Sequence, residues 1–360
     1  MGFLRASVEA IDRRSRGAAP SMRQKICIGI VMMAIVIFTI SLYALRQAPS
    51  PPSTGPVEKI TFGTVATGLF PALVWVAEQE GYFQHAGLDV DIRGLSSAHI
   101  ALKTMLEEGN LDIVGVAQTP VVFHSFARSD YAIIATMADS DNNHKLLARK
   151  DRGIHTPADL KGKAVGVTKG TSGQFFLDMF LLTHGINPAE VETMDLAVGA
   201  LTPAFVEGHV DAIATWEPHI FQAQRLLGAN AFLFDTRNTV RTKFYLVATK
   251  HFITQHPGAL QKFLHAMQRA EVFMQEHNTV AMDIASRRTK TEWELATIIW
   301  DDLTFRLVLD QSIIDVLETE ARWVINKQFT EKTSVPNYLP FIFVDGLKAV
   351  KPRAVTIVGK

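Results

Sequence analysis

Cysteine is almost absent: Cys27 is the single one in 360 residues. An intramolecular disulfide is therefore excluded, and past residue 27 there is neither a thiol nucleophile nor a thiolate metal ligand. Excess charge is missing too. Lysine plus arginine number 36, as do aspartate plus glutamate, so the chain lacks the concentrated basic balance that a nucleic-acid partner requires. Long runs of one charge sign, the mark of a disordered interaction tail, are also missing. The 12 histidines are scattered. They form no His-x-x-x-His or Glu-x-x-His pair, and His251 and His256 are wrongly spaced for one helical face. Neither a metal site nor a cofactor is expected.

What is present suits a large core. Hydrophobic residues make up 48% and charged residues 20%, and at roughly 100–200 residues per domain the chain has room for two lobes. Residues 26–45 (ICIGIVMMAIVIFTISLYAL) run for twenty residues without a charge, enough to cross a hydrocarbon core of about 30 Å. The basic tail before it, residues 1–25, carries Arg5, Arg13, Arg14, Arg16, Arg23 and Lys25. That charge predicts a cytoplasmic N-terminus and an exported remainder. The run reads either as an uncleaved transmembrane anchor or as a cleaved signal segment, and its length and poor cleavage sites weigh against the usual signal pattern. Residues 46–56 (RQAPSPPSTGP) are a Pro/Ser/Gly linker that cannot bury enough surface to order itself.

From residue 57 strand and helix patterns alternate. Strands are expected at 59–65, 88–93, 112–116 and 131–137, with helices at 71–80, 98–107 and 119–126, the last capped by Thr119 with Pro120 in its first turn. This order predicts a parallel sheet with right-handed crossovers. A second unit holds strands at 164–167, 192–196 and 212–215, helices at 173–183 and 200–207, and a helix from 218. A strand at 244–249 follows, and the remainder reads as helical, with amphipathic helices at 259–276 and 313–325. The C-terminal helices have no sheet of their own and are expected to pack back on the first unit. The expected architecture is α/β: lobe I from 57–150 and 242–360, lobe II from 151–241, with two crossings, near residues 150 and 241, forming a hinge over a cleft. Ligands of open α/β sheets bind outside the carboxyl ends of the strands.

Three stretches carry a family likeness. AEQEGYFQHAGLDVDI (77–92) ends a buried helix and leads into a strand. TPADLKGKAVGVTKGTS (156–172) leads through a strand to a Gly-Thr-Ser turn. EGHVDAIATWEPH (207–219) closes the set. In this order and spacing they resemble the substrate-binding proteins of ATP-driven (ABC) importers for sulfonates, taurine and nitrate, a group that includes relatives of the thiamine-pyrimidine-binding proteins. The resemblance spans about residues 57–345. It implies a two-lobed type II periplasmic-binding-protein fold, a small-molecule solute, an ABC permease with its ATPase as partners, a periplasmic location and a monomer. Some relatives are enzymes of pyrimidine synthesis or desulfination, but these depend on cysteine, so a non-enzymatic role is expected. A membrane-anchored ligand sensor is the other alternative.

The family's ligand contacts come from strand-end loops, and the matching positions are the expected site. Thr67 and Gly68 follow the first strand, and Gln118 and Thr119 follow the third at a helix start. Asp139 follows the fourth and is expected to pair with an amine or hydroxyl. Gly170, Thr171 and Ser172 open a helix, where free N–H groups and two hydroxyls favour an anionic group. This string lacks the Gly-x-Ser-x-Gly of a nucleophile elbow and the Gly-Lys-Ser/Thr of a phosphate loop. Trp216 is expected to stack on the ligand and Glu217 to accept from an amine. Arg237 and Arg241, in the return crossing, are weaker anion candidates. With Asp139 and Glu217 at the cleft, a taurine-like zwitterion or an aminopyrimidine fits better than nitrate.

Overall fold

The computed structural model describes residues 56–66 and 68–358. The expected membrane segment at 26–45, the linker before residue 56 and Thr67 lie outside the described residues. Among the described residues no helix is long and apolar enough to cross a membrane.

Strand β1 (Glu58–Val65) leads to helix α1 (Ala72–Gln79), the short α2 (Tyr82–His85) and β2 (Leu88–Leu95). Helix α3 (Ala98–Glu107) starts where the Ser97 hydroxyl accepts from the Ile100 amide, an N-cap that satisfies a donor the helix itself cannot. Strand β3 (Ile113–Ala117), helix α4 (Gln118–Ser125) and strand β4 (Tyr131–Ser140) complete the first run. Then come β5 (His144–Arg149), β6 (Ala164–Val167), α5 (Ser172–Thr183), β7 (Glu192–Asp195), α6 (Val198–Glu207), β8 (Ala212–Trp216), α7 (His219–Leu227), β9 (Ala231–Leu233) and β10 (Thr242–Thr249). The C-terminal part holds α8 (Lys250–Gln255), α9 (Pro257–Glu276), α10 (Asn278–Thr289), α11 (Trp293–Asp301), β11 (Thr304–Val308), α12 (Ser312–Asn326) and α13 (Val344–Val350).

These strands form two sheets, ordered β11-β4-β10-β3-β1-β2 and β7-β6-β8-β5-β9. Three expectations are corrected. The first sheet is mixed: β1 pairs parallel with β2 and β3, but β10 enters antiparallel between β3 and β4. Its eight residues are buried but for the last, as a strand covered on both faces must be. Residues 304–308 form an edge strand against β4 instead of continuing the helical remainder. Residues 144–149, expected in the first lobe, pair with β8 and β9 of the second sheet, so the chain leaves the first sheet at 141–143, before residue 150.

The C-terminal helices cover the first sheet. Helix α9 packs on α1 and carries α13, α10 also meets α1, and α12 lies on α4. The α9 face buries Leu260, Phe263, Leu264, Met267 and Met274, each contributing roughly 1.5–3 kcal/mol on transfer from water. Phe263 stacks on Phe83 with ring centres 5.4 Å apart. The same helix buries Glu271, whose two oxygens each lie 2.7 Å from Lys351 Nζ while Oε1 accepts from the Leu307 amide. A buried carboxylate is tolerable only with such partners, and this one ties α9 to β11 and to the C-terminal segment.

The second sheet has its own core, in which Phe176, Leu177, Phe180 and Leu181 of α5 meet Val165, Val167 and Ala214 of the strands. On its other side Leu201 and Phe205 of α6 meet Ile213 and Ile220.

Candidate ligand-binding site

A cavity of about 670 Å³ opens where the strand ends of the two sheets meet. From the first sheet come Gly68, Leu69, Phe70, Thr119, Phe123, Ser140 and Phe244; from the second come Gly170, Thr171, Ser172, Trp216 and Glu217; Ile299, Asp302 and Leu303 close it from α11 and the turn after it. Phe70 and Phe244 form a stacked pair, centres 4.2 Å apart and planes 10° from parallel.

The start of α5 is shaped by two glycines. Gly170 has φ +70°, a left-handed conformation that glycine adopts without strain, and its amide donates to Gln174 Oε1 at 2.8 Å. A Cβ on Gly173 would stand 3.3 Å from the Ala214 carbonyl and 3.4 Å from the Trp216 ring, so glycine is what lets α5 approach the end of β8 closely. The Thr171 hydroxyl donates to the Thr168 carbonyl at 2.6 Å. Ser172 Oγ lies 2.8 Å from His144 Nε2. His144 is buried on β5, its other ring nitrogen 3.3 Å from the Thr242 hydroxyl of β10. Burial alone pushes its pKa down to about 3, so it stays a neutral imidazole that joins the two sheets. The Trp216 ring meets His144 edge-on at 5.8 Å and His219 at 6.5 Å.

Both carboxylates in the wall are engaged. Lys145 Nζ lies 2.7 Å from Asp302 Oδ2 and 3.2 Å from Glu217 Oε1. Glu217 Oε2 accepts from the Phe221 amide at 2.8 Å, and Asp302 Oδ1 accepts from Asn142 Nδ2 at 2.8 Å. Behind Thr119 sits Glu320, fully buried, with Oε1 accepting from the Thr119 hydroxyl at 2.5 Å and Oε2 without a partner. Burial raises its pKa to about 7 against the opposing bond from Thr119.

Of the expected site residues, Gly68, Thr119, Gly170, Thr171, Ser172, Trp216 and Glu217 come together on the cavity wall. Thr119 is no cap: α4 begins at Gln118 after Ala117, and the Thr119 hydroxyl is turned to Glu320. Two candidates lie elsewhere. Gln118 spans to the return crossing, donating to the Arg241 carbonyl at 3.3 Å and accepting from the Lys243 amide. Asp139 is buried between Arg241 (3.1 Å) and Arg306 (3.0 Å), which takes both its oxygens and removes it as an amine partner. Arg241 is thereby occupied as well. The sequence reading missed His99, Phe123, Asn142, Asn143, His219, Ile299 and Leu303, all on the wall. Asn142, Asn143 and His219 closely follow strands and were open to the strand-end rule; His99, Phe123 and Ile299 sit on helices, and Leu303 follows one, where no such signal exists.

Two sheets joined by paired crossings, with a cavity at their strand ends, define the periplasmic-binding-protein fold. Solved structures agree. The alkanesulfonate-binding protein SsuA from Xanthomonas axonopodis pv. citri, bound to MOPS, superposes with a TM-score of 0.64 at 15% identity, covering 81% of this chain and 100% of its own. The desulfurization enzyme DszB superposes at 0.59 and 14% identity, covering 82% and 99%. In sequence, a Bacillus subtilis protein named "Putative aliphatic sulfonates-binding protein" is 27% identical over 263 residues, 72% of this chain and 77% of its own length. The NMT1/THI5 like family model matches residues 71–281, and the chain belongs to that family.

Proposed function

We propose that this chain is the solute-binding component of an ABC-type importer, working outside the cytoplasm and handing a small organic molecule to a permease and its ATPase. The carrying observation is the cavity between the two sheets, within the range of about 300–1,000 Å³ common to small-molecule sites. The names of the sulfonate-binding relatives support the same reading. In this proposal residues 57–140 and 242–358 act as one lobe and 144–234 as the other. The crossings at 141–143 and 235–241 absorb the hinge motion by which the lobes close on the solute. Gly68, Thr119, Gly170, Thr171, Ser172, Trp216 and Glu217 contact it, and the N–H groups opening α5 face its polar end.

The likeness to DszB raises a desulfurization-type enzyme as the competing reading. The sequence speaks against a cysteine-dependent reaction in this cavity, because the single cysteine is Cys27. The test is thermal melting of the full chain against a panel of sulfonates, nitrate, aminopyrimidines, aromatic acids and amino acids. A ligand at about 100 times its dissociation constant stabilises a fold by ~2.7 kcal/mol, a rise of a few degrees. The proposal expects at least one such compound, recovered unchanged after incubation. A compound that comes back chemically converted would favour the enzyme.

A further inference from the structure

The lining of the cavity narrows the class of solute, on the premise that the chain is a solute-binding protein. Phe70, Phe123, Trp216, Phe244, Ile299 and Leu303 give the cavity aromatic and aliphatic walls on several sides. Phe70 and Phe244 stack on each other within that wall, and aromatic side chains pair well with other rings, offset or edge-on. A solute without an apolar body would leave those side chains facing water.

Charge points the same way. Among the described residues on the wall, the formally charged side chains are Glu217 and Asp302, with no lysine or arginine. Lys145, buried behind them, contacts both carboxylates, which leaves the trio with one net negative charge. His219, also on the wall, is held below the usual imidazole range by burial. An anion entering here would meet no lysine or arginine on the wall and would have only the amides opening α5 to set against the two carboxylates, a weak return for the water it sheds. An uncharged polar end is better served. The Ser172 and Asn143 side chains lie on the wall, as does the start of α5, and such groups fix the orientation of a mostly apolar ligand.

We infer that the solute is an uncharged, ring-bearing and mainly apolar molecule with a hydrogen-bonding group at one end, in place of a small sulfonate or inorganic anion. The likeness to sulfonate-binding proteins then concerns the scaffold, while the lining has changed its cargo. Equilibrium dialysis of the full chain against 2-naphthol, which is neutral at pH 7, and against butane-1-sulfonate separates the cases. The inference expects saturable one-to-one binding of 2-naphthol, at least about tenfold tighter than the sulfonate and unchanged between low and high salt. Tighter binding of butane-1-sulfonate, weakening with salt, would overturn the inference and keep the solute-binding reading. Binding of neither probe would overturn the inference; a positive melting panel would then still uphold solute binding, and a panel that stays silent with neutral aromatic alcohols and amides added to it would remove both.

Discussion

Lys145 Nζ lies 2.7 Å from Asp302 Oδ2. The lysine stands on β5 of the second sheet, and the aspartate follows α11, which closes the cavity beside the first. The lysine side chain is 6% exposed and the aspartate 19%. A contact so shielded from water is both a bond between the halves of the molecule and a neutralising device for the cavity wall.

Breaking it from the cation side is expected to be expensive. Lys145→Met would leave the carboxylates of Glu217 and Asp302 without their shared partner, and an uncompensated buried charge typically costs about 3–5 kcal/mol. Urea unfolding of the variant should show that loss at pH 7. The double variant with Asp302→Asn should recover part of it, because one orphaned charge is then removed.

Glu320 predicts a pH dependence of stability. Burial raises its folded pKa to about 7 from an ordinary 4.5, so folding favours its protonated form. Its contribution is fully present below pH 4.5 and is lost as pH rises towards 7. The span corresponds to about 3 kcal/mol. Chemical denaturation of Glu320→Gln should match the wild type near pH 4.5 and gain on it steadily up to pH 8. A constant difference across that window would show that the carboxyl does not titrate in this range.

His144 has the opposite sign. Its folded pKa is depressed to about 3 from 6.5, so its share of stability is present above pH 6.5 and is lost as pH falls towards 3, when the unfolded chain alone takes up a proton. The direct check is nuclear magnetic resonance of the ring. Its nitrogen shifts should stay those of a neutral imidazole from pH 8 down to pH 5. Protonation near pH 6.5 would contradict the burial argument.

The alternation of strand and helix was readable because local chemistry marks it. Residues 98–107 form the helix expected there, begun by Ser97 and stopped before Gly109. What the sequence hid was non-local. Nothing within residues 242–249 says that the strand will insert between β3 and β4, since its hydrogen bonds go to residues more than a hundred positions earlier. Residues 304–308 pair at an edge, with Arg306 reaching Asp139, and so small a strand between helices carries little periodicity of its own.

The strand-end loops were readable as the cavity's neighbourhood, and the residue chosen within each loop matters. Successive side chains of a strand point to opposite faces. At the end of β4 this puts Ser140 on the cavity wall and turns Asp139 to Arg241 and Arg306. At the start of helix α4 the helical turn, which sets successive side chains about 100° apart, separates Thr119, on the wall, from Gln118, which braces the return crossing. A rule that names strand ends finds the neighbourhood, while the phase of the strand decides which side chain faces the cavity.

That phase gives the most direct test. For the solute found by the melting panel, dissociation constants should be measured by calorimetry for the wild type, Trp216→Leu and Asp139→Asn. The account predicts that losing the Trp216 ring weakens binding by about tenfold or more, some 1.4 kcal/mol. Asp139→Asn should leave affinity within about twofold while lowering stability, as loss of a buried ion pair does. Unchanged affinity in Trp216→Leu together with a large loss in Asp139→Asn would contradict the placement of the solute in this cavity.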